Sequence, residues 1–257
     1  MVSDSTSRTQ AFYDGLAPYF HLLYADWEAS VARQARGLAA VLQEFGVPIG
    51  SSILDAACGI GTQTIGLAQL GYHVTASDPS PAALARARAE VAARDLTVSF
   101  AISDLRRLSE DFDDPFAAVL ACDNVIPHLL SDAEILTAFA ECRRVLMPAG
   151  VLIISLRDYA QIERRTPDYR PYRSHTDGER EYSAAQTWTW DGDQYDLTLR
   201  LTEKCGAAEP VVRELVSRYY AVELPTIERL LRETGFAAVA RRDEHFFQPL
   251  VVAINSQ

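Results

Sequence analysis

The segment at residues 51–61 constrains the fold of this chain more than any other stretch. It reads Ser-Ser-Ile-Leu-Asp-Ala-Ala-Cys-Gly-Ile-Gly, and a helical pattern follows at residues 62–70. A strand, a turn of small residues and a helix therefore follow one another. Gly59 and Gly61 allow a sharp backbone turn and the close approach of a ligand. In an open α/β sheet this arrangement places the ligand beyond the carboxyl end of the strand.

Three interpretations of this loop are open. A dinucleotide-binding loop has the pattern G-x-G-x-x-G, but Thr64 stands where its third glycine would be. An ordinary strand-to-helix turn needs no ligand. The loop most closely resembles the first motif of class I S-adenosylmethionine (SAM)-dependent methyltransferases, in which an acidic residue precedes the small residues. This resemblance implies that Asp55, Ala57, Gly59 and Gly61 bind SAM.

Strands and helices alternate in the first part of the chain. Helical spacing is found at residues 28–45, 62–70, 81–94 and 130–146, and strands are predicted at residues 52–56, 72–77, 96–102, 116–122 and 151–156. This alternation predicts a doubly wound α/β fold with a mostly parallel sheet. A helix at residues 226–234 and two antiparallel strands, at 236–241 and 247–254, complete a seven-stranded, Rossmann-like sheet.

The chain divides into four segments. They are an aromatic cover segment (residues 12–27) with a helix within residues 1–45, a SAM-binding core at 46–158, an antiparallel β insertion after strand five at 159–222, and the final helix with the closing strands at 223–257. A hairpin turn is predicted at Gly192. We expect the insertion to cover the substrate, with a dimer surface as its alternative use. The first nine residues are expected to be a frayed tail.

Polar side chains follow the predicted strands at the edge where a crevice site is expected. Asp78 ends strand two, where a carboxylate can accept from both ribose hydroxyls or cap the next helix. Asp104 follows strand three, where it can accept from the adenine amine, with Leu105 over the ring, or be a solvated loop residue. We also place Pro79 and Cys122 in the cofactor site.

Three further segments narrow the resemblance to glycine and sarcosine N-methyltransferases and related small-molecule enzymes. The pattern Asn-x-x-x-His-Leu, starting at Asn124, matches the segment that follows strand four in that group. The run Leu-Arg-Asp-Tyr around Arg157 resembles the group's His-Arg-Asn-Tyr after strand five. The run Ser-Arg-Tyr-Tyr at residues 217–220 resembles a Ser-Tyr-Tyr segment just before the last helix.

The resemblance implies roles for individual residues. Asn124 and His128 would contact SAM or the acceptor, and Arg33 would bind the SAM carboxylate. Arg157 would bind a carboxylate of the acceptor, because a guanidinium makes two parallel hydrogen bonds to that group, or it would form a structural salt bridge. Asn124, His128 and Arg157 are therefore the expected catalytic residues. Five tyrosines would line the site, namely Tyr13 and Tyr24 at the cofactor and Tyr19, Tyr159 and Tyr220 at the substrate.

The expected reaction is SAM-dependent methyl transfer to a small molecule, in the first place to an amine nitrogen and on an acceptor that can carry a carboxylate. An amine that arrives unprotonated needs no base, so His128 is expected to orient the acceptor. With a hydroxyl acceptor, His128 is the first candidate for the base. The alternatives are an O-methyltransferase of a small metabolite and a SAM-binding protein that senses SAM or pairs with a partner.

The composition argues against several other classes. A formal net charge of −11 opposes binding to nucleic acid, and no apolar run reaches the roughly 20 residues that span a bilayer. The four cysteines form no C-x-x-C pair, so we expect no metal site. We expect a cytoplasmic protein with SAM as its cofactor and a small-molecule substrate, and a homo-oligomer remains an open option.

Overall fold

The structure, a computed structural model, describes residues 4–256. Its helices are α1 (Asp4–Leu16), α2 (Trp27–Glu44), α3 (Thr62–Gln69), α4 (Pro81–Ala92), α5 (Leu108–Asp111), α6 (Asp132–Arg144) and α7 (Leu224–Glu233). Its strands are β1 (Ser52–Asp55), β2 (His73–Asp78), β3 (Ser99–Ile102), β4 (Phe116–Ala121), β5 (Leu146–Ser155), β6 (Asp168–Pro171), β7 (His175–Asp177), β8 (Arg180–Asp191), β9 (Gln194–Cys205), β10 (Val211–Tyr220), β11 (Phe236–Arg242) and β12 (Leu250–Asn255).

Seven of these strands form one sheet in the order β11-β12-β5-β4-β1-β2-β3. The strands β1 to β5 run parallel, and β12 lies antiparallel between β5 and β11. This arrangement confirms the predicted doubly wound, mostly parallel, seven-stranded fold. The strand order reverses at β1, whose neighbours are β2 and β4. In such sheets a binding crevice opens at the carboxyl ends of the strands at that point.

The central strands are apolar because helices cover both faces of the sheet. Strand β4 and the second half of β5 are almost fully buried, which is typical of parallel strands inside an α/β domain. One face packs against α6 and α7 through side chains such as Phe139 and Leu230. The other face packs against α2 and α3 through Leu38 and Leu67. This packing fixes the strand ends, and so fixes the loops that leave them.

A second, five-stranded sheet confirms the antiparallel insertion and is larger than predicted. Its order is β10-β9-β8-β6, with β7 paired to β8. The predicted hairpin is present, with Gly192 at a φ of 61°. The pattern does not predict β6 and β7, because they are only 4 and 3 residues long and β6 contains Pro171. The inner face of this sheet, which includes Trp188, packs against Phe12 and Leu16 of α1.

Three element boundaries differ from the prediction. Helix α1 begins at Asp4, so the expected frayed tail is helical from there, because α1 docks on the insertion. Residues 1–3 of that tail lie outside the described residues. Strand β5 begins at Leu146, which pairs with Phe116 before a register shift, rather than at residue 151. Strand β3 begins at Ser99 rather than at residue 96, because only its last four residues pair with β2.

Candidate active site

The glycine turn follows β1, the strand at which the order of the sheet reverses. Gly59 and Gly61 have φ angles of 53° and 92°, which residues with a side chain rarely adopt. Gly61 is the N-cap residue of α3. A Cβ atom at Gly59 would lie 3.4 Å from Cε1 of Phe20 in the cover segment. The backbone angle at position 59 therefore favours glycine, and a Cβ atom there would come into van der Waals contact with Phe20.

Asp55 supports this turn and does not line a cavity. It is buried at the end of β1, and its Oδ2 accepts a 2.6 Å hydrogen bond from the hydroxyl of Thr64 on α3. Burial raises the pKa of Asp55 to about 7, and the Thr64 bond opposes this rise. Asp55 lines neither the cavity that includes Asp78 nor the cavity that includes Arg157, and the cofactor contact expected of it stays a prediction.

A first cavity brings together seven residues that were predicted to bind the cofactor, because Tyr13 and His128 line it together with the five named next. Its wall includes Ala57, Asp78, Pro79, Asp104 and Leu105, and its volume is about 70 Å³. Ligand sites in proteins usually measure about 300 Å³ or more. Helix α1 forms part of the wall and narrows the cavity.

The Asp78 carboxylate holds the loop and faces this first cavity at the same time. Its Oδ2 accepts from the backbone N–H of Gly59 at 2.9 Å, and its Oδ1 accepts from the N–H of Ser80 at 2.8 Å. Burial raises the pKa of Asp78 to about 6, and the two backbone hydrogen bonds oppose the rise. Each oxygen of a carboxylate has a second acceptor position, so both remain able to accept from a ligand hydroxyl.

Asp104 is tied to a neighbouring arginine. Arg106 donates to Asp104 at 2.6 and 2.9 Å, and it also pairs with Glu134 at 2.6 Å. Burial alone raises the pKa of Asp104, but the hydrogen bonds from Arg106 outweigh burial and lower it. Asp104 therefore stays ionised in the first cavity, with part of its acceptor capacity already used.

A second cavity of about 560 Å³ adjoins the first, and Tyr13 lines both. It lies between the cover segment, α2, the loop after β4 and the insertion. Predicted site residues on its wall are Tyr13, Tyr24, Arg33, Asn124 and Arg157. The sequence analysis missed further polar residues on the same wall, namely Asp123, Tyr172, Gln186, Tyr219 and Gln248.

His128 is held between three elements at the boundary of the two cavities. Its Nε2 lies 3.0 Å from the hydroxyl of Tyr13, and its Nδ1 lies 3.4 Å from the hydroxyl of Ser217. The ring of Tyr219 packs against the imidazole at a centroid distance of 4.2 Å. Burial, together with the charge of Arg157, lowers the pKa of His128 to about 3. The imidazole is therefore neutral, and both of its nitrogens already have partners.

Asn124 connects the loop after β4 to the start of the insertion. Its Nδ2 donates to the hydroxyl of Tyr159 at 3.0 Å, and its Oδ1 accepts from the backbone N–H of Arg157 at 3.1 Å. Tyr159 is buried behind Asn124, where its hydroxyl lies 3.0 Å from that of Tyr195. The structure therefore corrects the predicted substrate contact of Tyr159, because the ring supports Asn124 from below.

The guanidinium of Arg157 lies on the wall of the second cavity without an acidic partner. Its Cζ is 5.3 Å from the ring centroid of Trp188, and within residues 4–256 it forms no ion pair. Arg170 packs on the same indole at 3.8 Å, but it is paired with Asp168 at 2.7 Å. Of these two arginines, only Arg157 keeps its hydrogen-bond donors available to a ligand.

Comparison with known proteins identifies the core of the parallel sheet. Residues 53–150 match a family model described as a methyltransferase domain. Residues 53–150 thus form a methyltransferase domain. The match covers β1 to β4 and the first part of β5, so it includes the glycine turn and the loops that hold Asp78, Asp104 and Asn124.

Several curated relatives of this methyltransferase are similar over part of their length. A glycine/sarcosine N-methyltransferase from Parasynechococcus marenigrum is 33% identical over 137 residues, which are 53% of this chain and 48% of the relative. Another, from Aphanothece halophytica, is 28% identical over 158 residues, which are 62% of this chain and 58% of the relative. The chain thus matches about half the length of these relatives.

Solved structures share the fold along almost the whole chain. A sugar N-methyltransferase from Streptoalloteichus superposes with a TM-score of 0.76 at 19% identity, covering 93% of each chain. A SAM-bound amino pentose methyltransferase from Micromonospora echinaspora superposes with a TM-score of 0.73 at 21% identity, covering 88% of this chain and 92% of that one. The likeness therefore includes the antiparallel insertion as well as the core.

The residues of the first cavity fit the cofactor of this domain. The carboxylates of Asp78 and Asp104 are acceptors suited to ribose hydroxyls and to an exocyclic amine, and Pro79 and Leu105 supply apolar surface for the base. Arg33 lies at the wall of the second cavity, where its Nη2 donates to Ser30 Oγ at 3.1 Å and its guanidinium is largely exposed. It is free to bind a carboxylate.

Three predicted residues of the methyltransferase lie away from both cavities. Tyr19 packs between Arg213, at 5.1 Å, and Tyr182, at 6.5 Å, on the outer side of the cover segment. Tyr220 donates to Asp132 at 3.0 Å. Cys122 is buried in the core. These positions correct the predicted substrate contacts of the two tyrosines and the cofactor contact of Cys122.

Only some of the missed residues carried a signal in the sequence. Side chains alternate along β10, so Tyr219 shares a face with Ser217 while Tyr220 points the other way. Asp123 stands directly before Asn124 after β4, so its place at a strand end is a signal that the sequence carries. Gln248 precedes β12 in a segment without any motif, and only the fold brings it to the cavity.

Two searches of residues 4–256 concern membrane-spanning helices and groups of possible metal ligands. Within residues 4–256, no helix combines the length and the apolar character that crossing a bilayer requires. The same residues contain no group of three or more His, Cys, Asp and Glu side chains placed to hold a metal ion.

Proposed function

We propose that this protein transfers a methyl group from SAM to an amine nitrogen of a small molecule that also carries an anionic group. The observation that carries this proposal is the guanidinium of Arg157, which lines the 560 Å³ cavity with no ion pair within residues 4–256. A guanidinium removed from bulk water is costly unless it is paired. A carboxylate or similar anion of the acceptor supplies the missing partner.

The preference for nitrogen rests on the relatives and on His128. Two of the similar curated proteins are named glycine/sarcosine N-methyltransferases, and one solved neighbour is a sugar N-methyltransferase. A hydroxyl acceptor needs a base, and the neutral His128 has both nitrogens engaged by Tyr13 and Ser217. His128 thus orients Tyr13, which lies between the two cavities.

The chain's own residues bind and align the reactants. SAM, when bound, supplies an electrophilic methyl group, to which the acceptor nitrogen forms a bond while the electron pair of the broken C–S bond stays on sulfur. The nitrogen then releases one proton to solvent. Asn124 holds the backbone of Arg157, and Arg157 fixes the acceptor by its anion. Holding two reactants in line contributes about 7–11 kcal/mol to lowering a bimolecular barrier.

The roles of the remaining predicted residues follow from the two cavities. We assign the adenosyl half of SAM to Asp78, Pro79, Asp104 and Leu105, and its methionyl carboxylate to Arg33. The division into a cover (1–45), a core (46–158), an insertion (159–222) and a closing segment (223–257) agrees with this assignment. The insertion contributes Tyr172, Gln186 and Tyr219 to the second cavity, as a substrate cover would. A SAM-binding protein without catalysis is the second candidate, but it leaves this polar wall without a use.

The test of the proposal is methyl transfer from isotopically labelled SAM to a panel of amines, amino acids, phenols and hydroxy acids, with the products identified by mass spectrometry. We expect labelled N-methyl products from anionic amines. Exclusive labelling of oxygen overturns the assignment to nitrogen, and SAM binding without any labelled product favours the non-catalytic candidate.

The matched variants are Arg157→Gln and Arg170→Gln, because both arginines pack on Trp188 and only one faces the cavity. Loss of a charged hydrogen-bond partner in a buried site costs about 2–5 kcal/mol. We therefore expect Arg157→Gln to lower kcat/KM for the acceptor by more than about 30-fold, with the affinity for SAM retained. Arg170→Gln should change kcat/KM for the acceptor by less than about threefold, because it only breaks the ion pair with Asp168 near the surface.

A further inference from the structure

We propose that Asp123 binds the nitrogen of the acceptor and that Tyr24 holds the carboxylate of Asp123 in position. This inference rests on the proposed function and adds to it a second recognition group, opposite in charge to Arg157. Asp123 lies at the end of β4, immediately before Asn124, and faces the second cavity.

The backbone at Asp123 is held in an unusual conformation. Asp123 and Asn124 have φ angles of 60° and 67°, and two consecutive left-handed residues other than glycine are costly. The backbone N–H of Asp123 donates to Ser155 Oγ at 2.6 Å, and Ser155 donates in turn to Gln248 Oε1 at 3.0 Å. The N–H of Asn124 donates to the carbonyl of Ser155 at 3.0 Å. Strand β5 and the loop before β12 therefore fix the direction of the Asp123 side chain.

One oxygen of this carboxylate is engaged and the other is available. Oδ2 accepts a 2.9 Å hydrogen bond from the hydroxyl of Tyr24 in the cover segment. Oδ1 accepts no hydrogen bond from residues 4–256, and the residue lines the cavity. Burial raises the pKa of Asp123, and the bond from Tyr24 and the charge of Arg157 offset only part of the rise. The carboxylate thus sits in a poorly solvated site that favours a cationic or N–H-bearing ligand.

The two charges of the cavity do not neutralise one another. Asp123 and Arg157 influence each other electrostatically, yet they form no ion pair, and both line the same wall. Opposite charges held apart in one cavity match a ligand with an amine and an anion. During methyl transfer the nitrogen acquires positive charge, and a fixed carboxylate beside it stabilises that charge. Asp123 therefore selects nitrogen acceptors and Arg157 selects their anion.

The rings around Asp123 leave room for a methylated nitrogen. Tyr24, Tyr172 and Tyr219 line the same cavity, and aromatic faces attract alkylated ammonium groups. Burial raises the pKa of Tyr172. The positive charge of Arg157 lowers this pKa, and the negative charge of Asp123 raises it. This neighbourhood places Asp123 on the side of the insertion. Arg33, the proposed ligand of the cofactor carboxylate, comes instead from α2.

Binding calorimetry on the protein saturated with S-adenosylhomocysteine tests the inference. The probes are two sets that separate the charges: glycine, methylamine and glycolate, and phenylalanine, 2-phenylethylamine and 3-phenyllactate. The variants are Asp123→Asn, which keeps the shape and the acceptor for Tyr24, Tyr24→Phe, which removes the supporting hydroxyl, and Arg157→Gln.

We expect Asp123→Asn to weaken binding of the amino acid and of the amine by at least about 30-fold, because a hydrogen bond to a charged group is lost. The hydroxy acid and S-adenosylhomocysteine should keep their affinities within about threefold. Tyr24→Phe should lower the affinity for the amine by about 3- to 10-fold. Arg157→Gln should show the opposite selectivity: it should retain its affinity for the amine and lose its affinity for the hydroxy acid.

Three outcomes overturn the inference. The first is an unchanged affinity of Asp123→Asn for the amine. The second is the absence of binding of every probe to the wild-type protein. The third is a loss of about tenfold or more in the affinity of Asp123→Asn for S-adenosylhomocysteine. The last result assigns Asp123 to the ammonium of the cofactor. Labelled N-methyl products together with an unchanged amine affinity refute only this inference, whereas the absence of methyl transfer refutes the proposed function.

Discussion

The two cavities differ in what their charged side chains already bind. In the first cavity, Asp78 accepts two backbone N–H groups and Asp104 is paired with Arg106. In the second, Arg157 has no ion pair within residues 4–256, and Asp123 uses one oxygen only. The charged groups of the first cavity are thus held by internal bonds, whereas those of the second keep donors and acceptors available for a ligand.

The two cavities also differ in size. Helix α1 narrows the first, which measures about 70 Å³, and Asp14 of this helix accepts from the Ser80 hydroxyl at 2.6 Å. The second is already wide, at about 560 Å³. The comparison leads to four predictions, ordered from the largest expected effect to the smallest.

Asp78→Ala should give the largest effect, because it removes a partner from two buried N–H groups as well as an acceptor for the cofactor. We expect S-adenosylhomocysteine affinity to fall more than about 100-fold and the free energy of unfolding to fall by about 2–4 kcal/mol. Calorimetry and thermal unfolding measure the two effects. Asp78→Asn, which keeps an acceptor for one of the two N–H groups, is the control and should retain more of the stability than Asp78→Ala. Unchanged affinity in Asp78→Ala contradicts the preformed cofactor site.

Asp55→Asn should change how stability depends on pH. The pKa of Asp55 is raised from about 3.9 in the unfolded chain to about 7 in the fold, so the folded protein binds more protons between these values. The contribution of protonated Asp55 is fully present below about pH 4 and is lost as the pH rises through 7.

Denaturant unfolding of the wild type and the Asn variant between pH 4 and pH 8 is the measurement. The variant keeps an acceptor for Thr64 and cannot ionise, so it should lose less stability than the wild type as the pH rises. Parallel curves for the two proteins count against a protonated Asp55 at the end of β1.

Gly59→Ala should affect the first cavity more than an equivalent change elsewhere. Gly50 is the matched control, because its φ is 91° and no atom lies within 4 Å of its added Cβ. Both Ala variants should lose about 1–2 kcal/mol of stability through backbone strain. Only Gly59→Ala, whose added Cβ atom also contacts Phe20, should lower the affinity for S-adenosylhomocysteine. Equal binding by both variants shows that the contact with the cover segment has no role.

Tyr219→Phe and Tyr220→Phe should give the smallest effects, and they test which face of β10 serves the acceptor. Tyr219 lines the second cavity, and its loss of a hydroxyl should raise the acceptor KM by about 3- to 10-fold. Tyr220 binds Asp132 outside the cavity, so its variant should change stability by about 1 kcal/mol and leave KM unaltered. Steady-state kinetics decide between them, and a larger KM effect in Tyr220→Phe reverses the assignment.

The sequence predicted most of the fold because local patterns carry it. Alternating strands and helices, the glycine turn and the hairpin at Gly192 are properties of short segments, and all are present in the structure. Short strands such as β6 carry no periodicity and were missed. Most residues of the first cavity were also predictable, because Ala57, Asp78 and Asp104 with their neighbours follow the ends of strands, whereas Tyr13 comes from α1.

The second cavity was predictable only in part. Arg157 and Asn124 belong to recognisable segments and do line it, whereas Tyr19, Tyr159 and Tyr220 lie elsewhere. One residue of displacement along β10 is enough to move a side chain to the opposite face.

By itself, the sequence determined a parallel α/β core with a glycine turn and acidic groups at its strand ends, because hydrophobic period and turn chemistry act over a few neighbouring residues. Only the tertiary structure decided which polar groups remain without partners. Asp123 and Arg157 are separated by more than thirty positions in the sequence, and Gln248 lies near the end of the chain. Their common cavity arises because the packing of the sheet, the insertion and the cover segment brings distant segments together.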